Sequence, residues 1–207
     1  MTIHHPEIAP ILTALLPSRI SDDADKAVMD SQRPAAVLFP LIERAGGYTV
    51  LLTTRPDTMP SHAGQISFPG GRIERGESAL EAALRETHEE VGIKPSEANV
   101  IGRLHSFNGG ANYRITPFVA LIDPRARIIP DPREVADYFE VPLAFLMNPD
   151  NHTPRDMHYK GKTYNLIDMP YCGPDGIHRN LWGMTAMIIY RLYRRAYAGD
   201  FSHPDGE

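Results

Sequence analysis

The chain has 207 residues, of which 42% are hydrophobic and 23% charged, a composition typical of a globular protein with a substantial core. Its formal charge of −5 at pH 7 gives no general signature of nucleic-acid binding. The single cysteine, Cys172, excludes an internal disulfide or a cysteine-rich zinc site, and it favours a reducing compartment. No apolar run approaches the roughly 18 residues of a membrane span, so we predict a cytoplasmic protein without membrane or nucleic-acid partners.

Proline and glycine divide the chain into short elements, which favours a mixed α/β domain. A helical extension is predicted at about 5–16, before a core that covers about 34–197. The apolar, β-branched runs 34–42 and 48–55 predict two strands joined by a glycine-containing turn. Further predicted elements are strands at 65–68, 99–107 and 113–122, a hairpin at 157–171 that turns at Gly161, and a closing helix at 181–198. None of the connecting segments is long enough to require a second domain, so residues 1–207 are predicted to form one.

The helix predicted from Ser78 to Val91 has clear start and stop signals. Ser78 followed by Glu81 fits a capping box, and Gly92 accepts the left-handed conformation that follows a last helical turn. Its apolar stripe, at spacings of four, three and four, consists of Leu80, Leu84, Thr87 and Val91. This stripe predicts the face of the helix that packs on the core.

The end of the same helix is unusually acidic. At about 100° per residue, Glu86, Glu89 and Glu90 are predicted to share a face nearly opposite the stripe. Like charges four residues apart cost about 0.2–0.5 kcal/mol, and acidic groups at a helix C-terminus face the negative end of its dipole. A bound Mg²⁺ or Mn²⁺ would reverse both penalties, because these ions prefer oxygen ligands. The helix alone is also compatible with a simple solvent-exposed acidic face, so the neighbouring residues must decide.

The neighbouring residues favour the metal site. The stretch GRIERGESALEAALRETHEEVGI, residues 71–93, resembles the Nudix box. The matching positions are Gly71, Glu77, Arg85, Glu86, Glu89, Glu90, Gly92 and Ile93. Thr87 departs from the apolar residue expected at its position, although its methyl group can lie on the core stripe. The resemblance implies an α/β/α sandwich with a mixed β-sheet.

The resemblance also implies an activity and its residues. Nudix enzymes hydrolyse a nucleoside diphosphate linked to another group, using Mg²⁺ or Mn²⁺ and an activated water. We assign Glu86 and Glu90 as the principal metal ligands, and Glu89 as a further ligand or the general base. Glu89, Glu90 and Arg85 are therefore the predicted catalytic residues, with Arg85 and Glu77 expected to support the loop and helix.

The residues before the box narrow the range of possible substrates. The segment LLTTRPDTMPSHAGQISFPGG, residues 51–71, resembles the signature of the coenzyme A pyrophosphatase branch of the Nudix family. The matching positions are Leu51, Leu52, Thr53, Arg55, Gly64, Phe68, Pro69, Gly70 and Gly71. Pro56 and Pro60 depart from it, replacing a serine and a second arginine. The segments 113–122, 134–146 and 182–189 also resemble that branch.

This second resemblance implies hydrolysis of coenzyme A or acyl-CoA to 4′-phosphopantetheine, or its acyl form, and adenosine 3′,5′-bisphosphate. Arg55, Gly70 and Gly71 are the predicted substrate-binding residues, the glycines because they allow close approach of the backbone. Candidates to stack on adenine are Tyr113, Phe107 and Trp182, although packing explains each of them equally well.

Two alternatives remain at this stage. Because Pro60 replaces an expected arginine, the substrate of the enzyme could instead be ADP-ribose, a dinucleotide or an oxidised nucleotide. A regulatory module that has lost catalysis is disfavoured, since every glutamate of the box is present. The predicted partner is a small nucleotide, and a homodimer is compatible with the sequence.

Overall fold

The computed structural model describes residues 6–15, 32–57, 64–109, 112–159 and 161–200. Its helices are α1 (Ala9–Ala14), α2 (Ala79–Val91), α3 (Leu143–Leu146) and α4 (Gly183–Ala196). Its strands are β1 (Arg33–Arg44), β2 (Gly47–Thr54), β3 (Ile66–Ser67), β4 (Gly70–Arg72), β5 (Ala98–Arg103), β6 (Phe107–Gly109), β7 (Tyr113–Ile122), β8 (Asp137–Pro142), β9 (Thr153–Tyr159), β10 (Lys162–Cys172) and β11 (His178–Leu181). Within these ranges no helix has the length and hydropathy needed to cross a bilayer.

The main sheet has the strand order β3-β2-β1-β7-β5, with β4 added to β1, β6 to β7 and β8 to β2. Strands β1 and β7 are parallel, and the other pairs are antiparallel. The long β1 pairs with β4 through residues 35–37 and with β2 through residues 41–44. One edge of β1 therefore pairs with two different strands in succession. The glycines of β4 lie near the point where pairing passes from β4 to β2.

Hydrophobic clusters cover both faces of this sheet. Side chains of β1 alternate between them, as expected for a strand buried on two sides. Ala36 and Leu38 belong to the cluster that contains Ala82 and Ala83 of α2. The opposite cluster joins other β1 and β2 residues to α1 and α4: Phe39, Leu41, Val50, Leu52, Ile8, Ile11, Ile188, Ile189 and Leu192. Helices thus pack on both faces of a mixed sheet, which confirms the predicted α/β/α sandwich.

Most predicted elements occur at or near the expected residues. The strand pair, α2 with its cap residues, β7, and the hairpin with its turn at Gly161 are confirmed. The predicted strand 99–107 is instead two strands, β5 and β6, which pair with different parts of β7. The closing helix begins at Gly183 because Leu181 pairs with Met169 as part of β11. Helix α1 covers 9–14 of the predicted extension, whose ends at 5 and 16 lie outside the described residues.

Candidate metal centre

Helix α2 is held at both ends, which fixes where its glutamates point. At the start, the Ser78 hydroxyl accepts a hydrogen bond from the Glu81 N–H, and the Glu81 carboxylate accepts one from the Ser78 N–H. At the end, Gly92 has a φ of 74° and its N–H donates to the His88 carbonyl. Both signals predicted from the sequence are therefore present, and they set the helix in one register against β4.

The prediction that all three glutamates lie opposite the core is wrong for Glu90. Glu90 is only 3% exposed, whereas the Glu89 side chain is 53% exposed. The predicted stripe was placed too far round the helix, because Leu80 and Leu84 are only partly buried. The small residues Ala82 and Ala83 are fully buried instead, since they allow the helix to pack closely on the sheet. This turns the buried face by roughly 60° towards Glu90, at about 100° per residue.

Three carboxylates come together beside the sheet. Oxygen atoms of Glu86, Glu90 and Glu134 all lie within 4.8 Å of one another. Glu134 belongs to the segment between β7 and β8, and sequence reasoning did not include it in the site. It begins segment 134–146, which resembles the coenzyme A branch, but no spacing rule connects it to the box. Only the fold brings it to the helix.

Backbone hydrogen bonds hold that segment against the end of α2. The N–H groups of Ile129 and Asp131 donate to the carbonyls of Val91 and Glu90, at 2.8 and 2.9 Å. The Asp131 carbonyl then accepts from the N–H groups of Glu134 and Val135, and Val135 is buried. Carbonyls that would otherwise lack a partner at a helix end therefore position the third carboxylate.

The electrostatics of the cluster favour a cation. Burial raises the pKa of Glu90 to about 8, helped by the nearby Glu86 and Glu134 charges. The Gly70 N–H, 3.3 Å from Glu90 Oε2, and the positive charge of Arg55 lower that pKa by less. Burial also raises the pKa of Glu86. Three converging carboxylates, two of them with raised pKa values, suit a hard divalent ion such as Mg²⁺ or Mn²⁺.

Arg85 binds the other carboxylates of the box. Its Nε and Nη2 atoms donate to the two oxygens of Glu77, at 2.8 and 3.0 Å. Its Nη1 atom donates to Glu86 Oε1 at 2.9 Å and to Glu89 Oε2 at 3.0 Å. The hydrogen bonds to Glu77 are the main reason that the pKa of Arg85 is raised. Arg85 thus fixes the rotamer of Glu86, while Glu89 lies outside the three-carboxylate cluster.

The two glycines of β4 let the strand lie directly against this cluster. Gly70 has a φ of 151°, and a Cβ there would lie 2.4 Å from the Ala36 carbonyl oxygen. A Cβ on Gly71 would lie 2.4 Å from the carboxyl carbon of Glu86. The absence of a side chain at Gly71 therefore allows close approach to the Glu86 carboxylate, and at Gly70 it allows close approach to β1.

Replacing Gly71 with alanine is expected to weaken Mn²⁺ binding by at least about tenfold, because the new methyl group must displace Glu86. Gly46→Ala is the matched control, since a Cβ at Gly46 has nothing within 4 Å. Titration calorimetry with Mn²⁺ measures the affinity, and circular dichroism checks the fold. Equal Mn²⁺ affinity in the two variants would contradict the role of Gly71.

Arg55, a predicted substrate-binding residue, interacts electrostatically with the acidic cluster. It follows β2, and its backbone N–H and C=O bond to Gln65 and Gly64. Its positive charge lowers the pKa of Glu90. Pro60, the departure from the branch signature, lies outside the described residues.

The three aromatic candidates for adenine differ in their surroundings. Phe107 is 1% exposed, with the Arg191 guanidinium 4.3 Å from its ring centroid. Trp182 is 41% exposed just before α4, and the Tyr113 hydroxyl accepts a hydrogen bond from Arg72 Nε at 3.0 Å. Burial therefore disfavours Phe107 as a stacking surface, and Trp182 is the most accessible of the three.

Comparison with known proteins identifies the family. The model of the NUDIX domain matches residues 31–160, more than half of the chain. The chain belongs to the Nudix family. This Nudix protein is 37% identical over 168 residues to a Photorhabdus laumondii protein named uncharacterized Nudix hydrolase NudL, covering 81% of this chain and 87% of the relative. A protein of the same name from Cronobacter sakazakii is 39% identical over 163 residues, covering 78% and 82%.

A solved structure supports the fold of this Nudix protein. The crystal structure of a MutT/nudix family protein from Enterococcus faecalis aligns with a TM-score of 0.54 and 17% identity, covering 86% of this chain and 70% of the other. Membership of the family confirms the predicted activity at its general level, a Nudix hydrolase of a nucleoside diphosphate derivative. Nudix hydrolases generally use divalent ions such as Mg²⁺ or Mn²⁺, which the carboxylate cluster of this chain fits.

Proposed function

We propose that this protein hydrolyses the diphosphate bond of coenzyme A or acyl-CoA, giving 4′-phosphopantetheine or its acyl form and adenosine 3′,5′-bisphosphate. One observation carries the proposal. The segment 51–71, which resembles the coenzyme A branch, borders the carboxylate cluster through Arg55, Gly70 and Gly71. Residues of the branch signature are therefore next to the residues proposed to hold the metal.

In this mechanism Glu86, Glu90 and Glu134 would hold the metal, and Arg85 keeps the Glu86 carboxylate in place. A bound Mg²⁺ or Mn²⁺ would neutralise diphosphate charge and lower the pKa of a water molecule. The water oxygen bonds to phosphorus, the bridging P–O bond breaks, and the water proton passes to a carboxylate. Glu89 is our candidate for that base, because it is exposed, lies outside the cluster and is on the same helix as Glu86 and Glu90. Arg55 is the candidate contact to the substrate phosphates.

The alternative is a Nudix hydrolase of ADP-ribose, a dinucleotide or an oxidised nucleotide. Pro60 favours it, because an arginine expected in the coenzyme A branch is replaced there by a residue without charge. The two functions share the metal centre and differ only in what the nucleotide carries. A comparison of substrates therefore separates them, whereas substitution of the glutamates does not.

With Mg²⁺ or Mn²⁺ present, we expect kcat/KM for coenzyme A or an acyl-CoA to exceed that for ADP-ribose, a diadenosine polyphosphate and an oxidised nucleoside triphosphate by at least about tenfold. Discrimination of that size corresponds to about 1.4 kcal/mol of transition-state binding. Anion-exchange chromatography identifies the products, and excess EDTA is the control for metal dependence. Faster turnover of ADP-ribose than of coenzyme A would reject the proposal in favour of the alternative.

A further inference from the structure

Three residues from three strands meet at one end of the main sheet. Arg33 of β1 and Tyr113 of β7 are direct neighbours in the parallel pair. Arg72 of β4 pairs with Ala35, two residues further along β1. Since side chains two residues apart on a strand point the same way, the arginines and the tyrosine share one face. We call Arg33, Arg72 and Tyr113 the arginine–tyrosine cluster.

Both guanidinium groups converge on a single phenol. Arg72 Nε donates to the Tyr113 hydroxyl at 3.0 Å, and its guanidinium carbon lies 5.8 Å from the ring centroid. Arg33 is the direct neighbour of Tyr113 on β1, and its positive charge also acts on that hydroxyl. Although burial acts to raise the pKa of Tyr113, the two arginines together lower it. The hydroxyl is therefore surrounded by positive charge.

This positive charge has no matching carboxylate among the residues that the structure describes. Other exposed arginines, such as Arg125 and Arg133, each pair with an aspartate two residues away. Among the described residues, no Asp or Glu lies within ion-pair distance of Arg33 or Arg72. Two cations held around a neutral hydroxyl repel each other, and an anion with several terminal oxygens would relieve the repulsion. Guanidinium groups bind phosphate oxygens in two-point contacts, so a phosphate monoester suits the cluster.

The arginine–tyrosine cluster is adjacent to the metal centre. Arg72 follows Gly71, whose missing side chain leaves room for Glu86, and the Arg72 carbonyl accepts a hydrogen bond from Arg85 at 3.1 Å. Successive residues of a strand point to opposite faces and lie about 3.3 Å apart. In the described sheet β4 has one neighbouring strand, β1, and along its other edge the Gly70 N–H and the Arg72 carbonyl bond to the Glu90 and Arg85 side chains of the metal centre. A nucleotide that crosses this edge can present one phosphate group to each face.

We propose that Arg33, Arg72 and Tyr113 bind the 3′-phosphate of the adenosine half of the substrate while its 5′-diphosphate lies at the metal centre. This inference rests on the proposed function, because coenzyme A carries both groups on one ribose. The same cluster binds the product adenosine 3′,5′-bisphosphate. The cluster therefore selects substrates with a 3′-phosphate.

The test compares coenzyme A with 3′-dephospho-coenzyme A, which differs only by that phosphate. In the unmodified enzyme, kcat/KM is expected to be at least about tenfold higher for coenzyme A. Arg72→Gln and Arg33→Gln should each remove most of that preference, mainly through a higher KM for coenzyme A, and leave the dephospho substrate within about threefold. Arg75→Gln is the matched control, because this substitution also removes one positive charge but does so outside the arginine–tyrosine cluster. Arg75 is exposed in the loop after β4.

A second measurement does not depend on catalysis. Titration calorimetry of the whole protein should show tighter binding of adenosine 3′,5′-bisphosphate than of AMP, and Arg72→Gln should abolish the difference. Equal losses for coenzyme A and its dephospho form in Arg72→Gln would overturn the inference while leaving the proposed function intact. The protein could instead hydrolyse neither coenzyme A nor its dephospho form, yet bind the bisphosphate more tightly than AMP in a way that depends on Arg72. That result would support the inference and reject the proposed function. No preference for a 3′-phosphate in either measurement would reject the inference.

Discussion

Replacing Glu90 with glutamine should lower metal-dependent turnover by about two to three orders of magnitude and make the metal-free protein more stable at pH 8. The loss of activity is expected because Glu90 is the most buried member of the carboxylate cluster. Removing one charged group that stabilises a transition state typically costs about 10²–10³-fold in rate. Glutamine keeps the shape of the side chain and can still accept from the Gly70 N–H.

The stability change has the opposite sign because of the raised pKa. Folded, metal-free protein holds a proton on Glu90 up to about pH 8, whereas the unfolded chain releases it near the ordinary pKa of a glutamate. The stability that this proton contributes is complete at acid pH, decreases as the pH rises above the unfolded pKa, and is lost above about pH 8. Glutamine has no proton to lose, so the variant avoids this decrease.

Thermal unfolding in EDTA measures the effect. At pH 8 the Tm of Glu90→Gln should exceed that of the unmodified protein by at least about 3 °C, since about 1 kcal/mol changes Tm by about 2–4 °C in a chain of this size. At pH 5 the difference should be smaller. Addition of Mn²⁺ should raise the Tm of the unmodified protein much more than that of the variant. Retained turnover, or a variant that is less stable at pH 8, would contradict the assignment of Glu90.

Replacing Glu134 with glutamine is expected to weaken Mn²⁺ binding by about 10–100-fold, whereas Glu89→Gln should change it by less than about threefold. The reason is geometric, because Glu134 completes the cluster and Glu89 is bound to Arg85 outside it. If Glu89 is the general base, its variant should lose kcat with little change in metal affinity. Calorimetry and steady-state kinetics on the same two proteins separate these effects.

The reverse order of metal affinities would contradict this arrangement. In that case Glu89 would be the third ligand, as its position in the Nudix box first indicated, and Glu134 would have no part in binding. Glu74→Gln is a suitable control for loss of a carboxylate, because Glu74 is exposed in the loop before α2 and lies outside the cluster. Its Mn²⁺ affinity should equal that of the unmodified protein.

Local patterns were sufficient to predict helix α2 and its cap residues. The capping box, the terminal glycine and the spacing of Glu86 and Glu90 all operate within a few residues, so the sequence specifies them directly. The same patterns misplaced the buried face of the helix. Leu80 and Leu84 indicated a buried face opposite Glu90. Instead, Ala82 and Ala83 pack closely on the sheet, and Glu90 is buried with them. Burial of a polar group depends on what packs against it, which periodicity does not record.

By itself, the sequence determined the α/β class, the Nudix family, a site with Glu86 and Glu90, and the glycines that lie beside them. Each of these depends on residues that are close together in the chain. Only the tertiary structure brought in Glu134, separated Glu89 from the cluster, and assembled Arg33, Arg72 and Tyr113. Glu134 is placed by backbone hydrogen bonds between its segment and the end of α2. For the arginine–tyrosine cluster the physical reason is strand pairing. The parallel pairing of β1 with β7 and the antiparallel pairing of β1 with β4 join residues that are far apart in the chain, and no local preference encodes that contact.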